Sequence, residues 1–149
     1  MMKAVICRKF GKASQLTLTD ITTPVPSDKQ LLIKVMATTV TAGDCEIRSL
    51  RLGFVINLFL RIFAKCTTLI LGMELSGEVI AVGKKVTLFK VGDKIMAVSG
   101  FKANAQFICL SEDGPVVLQP TNMTDQEAAA ISVGGTNALH FLRKATIKP

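Results

Sequence analysis

Glycine and proline cut this chain into short, β-branched runs, and that punctuation constrains its fold more than any other feature. Met2–Arg8 and Leu16–Ile21 alternate apolar and polar residues in the manner of half-buried strands. Pro24 and Pro26 interrupt the pattern, because proline cannot donate to an internal ladder, and Lys29–Val40 resumes it at greater length. Glu74–Val82 and Lys94–Val98 follow, with Gly77, Gly83 and Gly92 marking bulges or tight turns. Ala105–Leu110 and Val116–Leu118 complete the series around the turn-like Ser111–Pro115. Short strands separated in this way predict a mainly β fold, either a small barrel or a strongly curved sheet.

Two segments break the β rhythm. Residues 50–65 (L-R-L-G-F-V-I-N-L-F-L-R-I-F-A-K) are apolar, with basic residues at both ends and Arg61 inside. The run is shorter than the roughly 20 residues a membrane span needs, so no span is expected. It reads as a helix or lid folded over the protein's own cleft, with a basic amphipathic helix on a membrane surface as the alternative. The second break is T-D-Q-E at Thr124–Glu127, a capping box in which hydroxyl and carboxylate satisfy orphan helix amides reciprocally. Gly134-Gly135 is expected to interrupt that helix. A second helical segment, Thr136–Ala145, then offers Leu139, Phe141 and Leu142 as an apolar side.

With 149 residues, 49% hydrophobic and 19% charged, the chain can bury a core without metals or cross-links. Cys7, Cys45, Cys66 and Cys109 are widely spaced, with no C-x-x-C and no neighbouring histidine. That spacing opposes a zinc finger or a disulfide framework and suits reduced thiols of a cytoplasmic protein. Met1–Phe10 alternates like a strand instead of forming a secretory signal. Residues 1–65 hold ten Lys/Arg against four Asp/Glu, whereas residues 66–149 hold eight against seven. A basic half can attract nucleic acid, anionic lipid or a phosphorylated cofactor. Without interleaved aromatic stackers it reads as a solvated face, and no nucleic-acid partner is expected.

Leu71–Lys94 (L-G-M-E-L-S-G-E-V-I-A-V-G-K-K-V-T-L-F-K-V-G-D-K) resembles the signature of the medium-chain dehydrogenase/reductase superfamily, whose zinc alcohol dehydrogenases carry G-H-E, G-x-V and V-G-D-x-V at this spacing. Met2–Val5 followed by Phe10-Gly11 is similar to the opening of quinone oxidoreductases. Thr39–Ser49 (T-V-T-A-G-D-C-E-I-R-S) resembles their loop G-V-N-P-x-D-x-x-x-R-S, and Ala128–Leu139 resembles A-A-A-L-P-x-x-G-x-T-A-L. The likeness covers essentially the whole chain. It implies a GroES-like, partly open β-barrel with a few short helices as a substrate-binding domain over residues 1–123. Residues 124–149 then form a helical segment at the junction to a dinucleotide-binding Rossmann domain, expected to be missing because no G-x-G-x-x-G occurs.

The function so implied is that of a zinc-independent NAD(P)H-dependent oxidoreductase of the quinone, enone or alcohol dehydrogenase-like type, acting on a small carbonyl or quinone-like substrate. The alternative is a non-catalytic GroES-like module that binds a small apolar ligand or a partner chain. Met73 stands where the zinc enzymes place a histidine ligand, and Thr41 stands where they place a cysteine. Ile131–Gly135 lacks their third ligand, and no four-cysteine lobe follows Asp93. Zinc needs three protein ligands at a catalytic site, and a thioether is a weak one, so no metal is expected.

By the same resemblance Thr41 faces the cleft, where it contacts substrate or nicotinamide or merely satisfies loop backbone. Asp44 and Arg48 match cleft positions, although an aspartate there also suits helix capping. Glu74 lies in an apolar setting and must meet an arginine or a backbone amide. Thr136 resembles a threonine that reaches the nicotinamide, or else it caps the second helical segment. The lone His140 reads as structural, and no residue is assigned a catalytic role. Without a pyrophosphate-binding turn the chain alone is expected to bind neither NADPH nor NADH tightly and to turn nothing over. Uncovered Leu139, Phe141 and Leu142, together with an open sheet edge, predict a homo-oligomer.

Overall fold

A computed structural model of the protein describes residues 1–63 and 69–145, with the side chains of one helix described only as far as Leu58. Lys65, Cys66, Lys148 and Pro149 lie outside the described residues. The alternating run Met2–Cys7 forms β1, which pairs antiparallel with Leu16–Ile21 (β2), Met2 lying opposite Ile21. Gln30–Thr38 is β3. On its other side β1 pairs with the two-residue strand Leu69–Ile70 (β4), completing a three-stranded sheet in the order β2-β1-β4.

A second sheet adds Glu74–Val82 (β5), Lys94–Val98 (β6), Phe107–Ser111 (β7) and Val116–Leu118 (β8) to β3, in the order β7-β3-β5-β6-β8. Every pairing among the described strands is antiparallel. The sheets meet at a seam where Ala4 bridges Ala105 and Gln106 N donates to the Lys3 carbonyl at 3.0 Å. The result is mainly β and barrel-like without closing.

Period-2 burial explains the core. Leu31 and Ile33 from β3, Leu75 and Val79 from β5, and Ile95 from β6 are completely buried. Each such side chain favours the folded state by about 1.5–3 kcal/mol relative to exposure. At Gly77 a Cβ would sit 2.3 Å from the Lys34 carbonyl oxygen, so only glycine lets β5 cross β3 this closely. The pairing shifts register between Leu32 and Ile33 and again between Val35 and Ala37, which curls the sheet.

The helices depart from the sequence reading in three ways. Ala42–Ser49 forms a helix (α1) that strand-like patterning does not announce. Phe54–Phe63 is helical (α2), as expected of residues 50–65, but Phe54 and Val55 are 82% and 77% exposed instead of folded down as a lid. Asp125–Lys144 is one continuous 20-residue helix (α3), so Gly134-Gly135 does not interrupt it. Its first half is docked, burying Ala128, Ala129 and Ser132, and the Ser76 hydroxyl donates to the Asp125 carbonyl at 2.6 Å. That anchoring outweighs the roughly 1 kcal/mol each glycine costs a helix. Among the described residues no helix is long and apolar enough to cross a membrane.

Candidate ligand-binding site

The site begins with the capping of α1. Thr41 is its N-cap: the hydroxyl accepts from Asp44 N at 3.2 Å and donates to Asp44 Oδ2 at 2.9 Å, and Asp44 Oδ2 also accepts from Thr41 N. Asp44 is buried, and its other oxygen accepts from Gly72 N at 2.9 Å. Both carboxylate oxygens are therefore engaged, and α1 is tied to the loop before β5. Gly72 has φ +96°, and a Cβ there would lie 2.6 Å from Asn104 N. A side chain at this position would break the loop. Next to this anchor, a Cβ on Gly43 would lie 3.6 Å from Thr41 Oγ1 and 3.7 Å from Met73 Sδ. Thr41 and Met73 thus converge over the face of α1's first turn.

A cavity of about 580 Å³ opens between β1, β2, the end of β3 and α1. Leu16, Leu18, Met36 and Val40 give it apolar walls, with Arg48 and Asn104 among its polar groups. Leu18 and Val40 are largely exposed, an arrangement suited to a ligand with apolar surface. Asp44 and Arg48 reach this cavity, and the Arg48 guanidinium donates to the Gly11 carbonyl. Alternation along Lys29–Val40 put Met36, Thr38 and Val40 within reach of sequence reading. Asn104 carries no local signal.

Glu74 and Thr136 lie elsewhere, where β5 meets α3. Glu74 is buried; its Oε1 accepts from Val133 N at 2.9 Å and its Oε2 from the Thr39 hydroxyl. The partner is a backbone amide, one of the two kinds its apolar setting calls for. Thr136 lies inside α3 and donates to the Ser132 carbonyl at 2.7 Å, so it caps no second segment. Thr38 connects the two regions: it lines the cavity, and its hydroxyl donates to the Glu74 carbonyl at 2.9 Å. His140 stacks edge to face on Phe141 with ring centroids 5.6 Å apart.

Among the described residues no three His, Cys, Asp or Glu side chains gather in a way that could hold a metal ion. The N-termini of α1 and α3, where a pyrophosphate would seek amides, are filled by the carboxylates of Asp44 and Glu127. Hydrogen bonds from Thr124 hold the Glu127 carboxyl below its ordinary range, so it stays charged there. The helix α2 follows another helix instead of a strand. The N-termini of α1 and α3 are therefore not open to a dinucleotide's phosphates. Cys7, Cys45 and Cys109 are free, and burial pushes the Cys109 thiol up, which suppresses its thiolate.

Residues 27–138 match the family model of the alcohol dehydrogenase GroES-like domain. The quinone oxidoreductase of Sus scrofa is 31% identical over 150 residues, covering 99% of this chain and 43% of its own length. The solved quinone oxidoreductase of Coxiella burnetii superposes with a TM-score of 0.86 at 32% identity, covering 99% of this chain and 46% of that one. The Escherichia coli quinone oxidoreductase, solved in complex with NADPH, shares the fold with a TM-score of 0.83 at 23% identity, over 99% and 42% of the respective chains. The chain spans less than half the length of these relatives. With most of its length inside the matched domain, the chain belongs to the alcohol dehydrogenase GroES-like domain family, and its relatives include quinone oxidoreductases of the medium-chain dehydrogenase/reductase superfamily.

Proposed function

We propose that this chain is the substrate-holding part of a zinc-independent NAD(P)H-dependent oxidoreductase that reduces a small quinone, enone or related carbonyl compound. The observation that carries this reading is the apolar cavity beside α1, to which Arg48 contributes. An Arg48 N–H beyond the one given to Gly11 polarises a carbonyl oxygen, while Leu16, Leu18, Met36 and Val40 enclose the ring. Asp44 and Glu74 act as positioning groups, since every carboxylate oxygen they carry already accepts a hydrogen bond.

Thr41 and Thr136 border the side where the nicotinamide enters, supplied by a dinucleotide-binding part of the whole protein. A bound dihydronicotinamide would deliver the hydride. Residues 124–149 serve as the junction to that part, the chain works in the cytoplasm, and its thiols are reduced. The apolar walls also suit a second reading, a non-catalytic module that stores or presents a small apolar ligand.

Amide-resolved NMR titration with a cyclic ketone, which cannot alkylate the exposed Cys45, tests the proposal. Shifts should concentrate at Met36, Val40, Asp44, Arg48 and Asn104, and Arg48→Ala should weaken binding about tenfold or more, the loss of a charged hydrogen bond. Shifts spread elsewhere, or an unaffected Arg48→Ala, would refute it.

A further inference from the structure

Over its described side chains, Phe54 to Leu58, α2 is turned inside out for a helix in water. Its one polar residue among the described side chains, Asn57, is turned toward the protein. Asn57 Nδ2 donates to the Leu50 carbonyl at 2.6 Å, and Asn57 Oδ1 accepts from Leu52 N at 3.3 Å. Phe54, Val55, Ile56 and Leu58 face outward instead. A surface helix normally reverses this arrangement, with its apolar stripe on the core.

The orientation is fixed by the junction with α1. Leu50 closes α1 in the left-handed region at φ 55°, Gly53 has φ +93°, and Arg51 N donates to the Glu46 carbonyl at 2.9 Å. That same junction carries positive charge. A depression of about 540 Å³ adjoining it is lined by Lys12, Arg48 and Arg51, with Glu46 the one carboxylate among its lining residues.

We propose that α2 docks the chain on an anionic lipid bilayer, with Phe54, Val55, Ile56 and Leu58 entering the head-group region while Lys12 and Arg51 meet lipid phosphates. Apolar side chains beside a cluster of cations are what such a surface recognises. Charge complementarity decides the occupant. A second copy would bring the same cations on a chain of net charge +7, which opposes close approach at this face. The contact is peripheral, because α2 has ten residues and cannot cross a bilayer.

Co-sedimentation of the chain with vesicles of phosphatidylcholine, with and without about one third phosphatidylserine, tests this. The chain should bind the anionic vesicles about tenfold or more tightly than the neutral ones, and high salt should remove the difference. Val55→Asp and Phe54→Asp should each weaken binding about tenfold with unchanged melting curves, because both side chains meet solvent in the free chain. Arg51→Glu together with Lys12→Glu should abolish the preference for anionic vesicles. Equal binding to both vesicle types, or Val55→Asp binding like the parent, would overturn the proposal. So would a finding that these variants change only self-association, or only capture of a soluble protein, with no vesicle binding by the parent.

Discussion

Asp44 and Glu74 perform the same physical task at two places in this chain. Each is a buried carboxylate that holds a backbone amide far away in sequence, Gly72 for Asp44 and Val133 for Glu74. A buried carboxylate is costly unless such partners replace its water. Glu74→Ala should therefore cost about 2–3 kcal/mol in urea unfolding, because the Val133 amide and the Thr39 hydroxyl lose their acceptor. Glu74→Gln should cost about half of that, since an amide oxygen can still serve one donor. A change below about 0.5 kcal/mol for Glu74→Ala would contradict this role. The demand for such a partner was legible in the sequence, from a carboxylate set among apolar residues. Its identity was not, because Val133 is 59 residues away and local patterns carry no information over that distance.

At the scale of elements, local chemistry was legible where it is self-contained. T-D-Q-E announced the start of α3, and the structure shows both arms of that box. The T-A-G-D box of α1 uses the same chemistry, but a short helix among strands leaves little periodicity to find. Continuity through Gly134-Gly135 was illegible because docking of the preceding turns decides it. Beyond its chain neighbours and the adjacent helix backbone, nothing lies within 4 Å of a Cβ placed on Gly134, so Gly134→Ala should stabilise the chain by about 0.5–1 kcal/mol in thermal unfolding. A destabilised Gly134→Ala would show that the helix bends there.

The cap also has a pH signature. Hydrogen bonds from Thr124 hold the folded Glu127 carboxyl below its ordinary pKa. Its contribution is thus present above the unfolded pKa and is lost as pH falls through the lower folded value. Hydrogen-exchange protection factors at the start of α3, taken relative to the intrinsic rate at each pH, should fall in that acid window for the parent chain and stay flat for Glu127→Gln. Parallel curves for the two would refute the cap's role.

For the whole molecule, the family resemblance anticipated the mainly β, GroES-like fold better than any single strand pattern could, because glycines such as Gly72 and Gly77 are demanded by contacts between distant segments; the division into two sheets came only with the structure. The second half of α3 leaves Leu139, Phe141 and Leu142 about half or more exposed. Covering a patch of roughly 400 Å² is worth on the order of 10 kcal/mol before association costs. Where no dinucleotide-binding part covers this face, we therefore expect the chain to form a homodimer or larger assembly through it. Light scattering that finds a monomer at tens of micromolar would contradict it. That this chain holds a carbonyl substrate while the dinucleotide is held elsewhere is tested most directly by NADPH titration of the chain followed by fluorescence. With Asp44 and Glu127 filling the helix N-termini, binding should be no tighter than millimolar, about −4 kcal/mol, and saturable binding in the micromolar range would contradict the account.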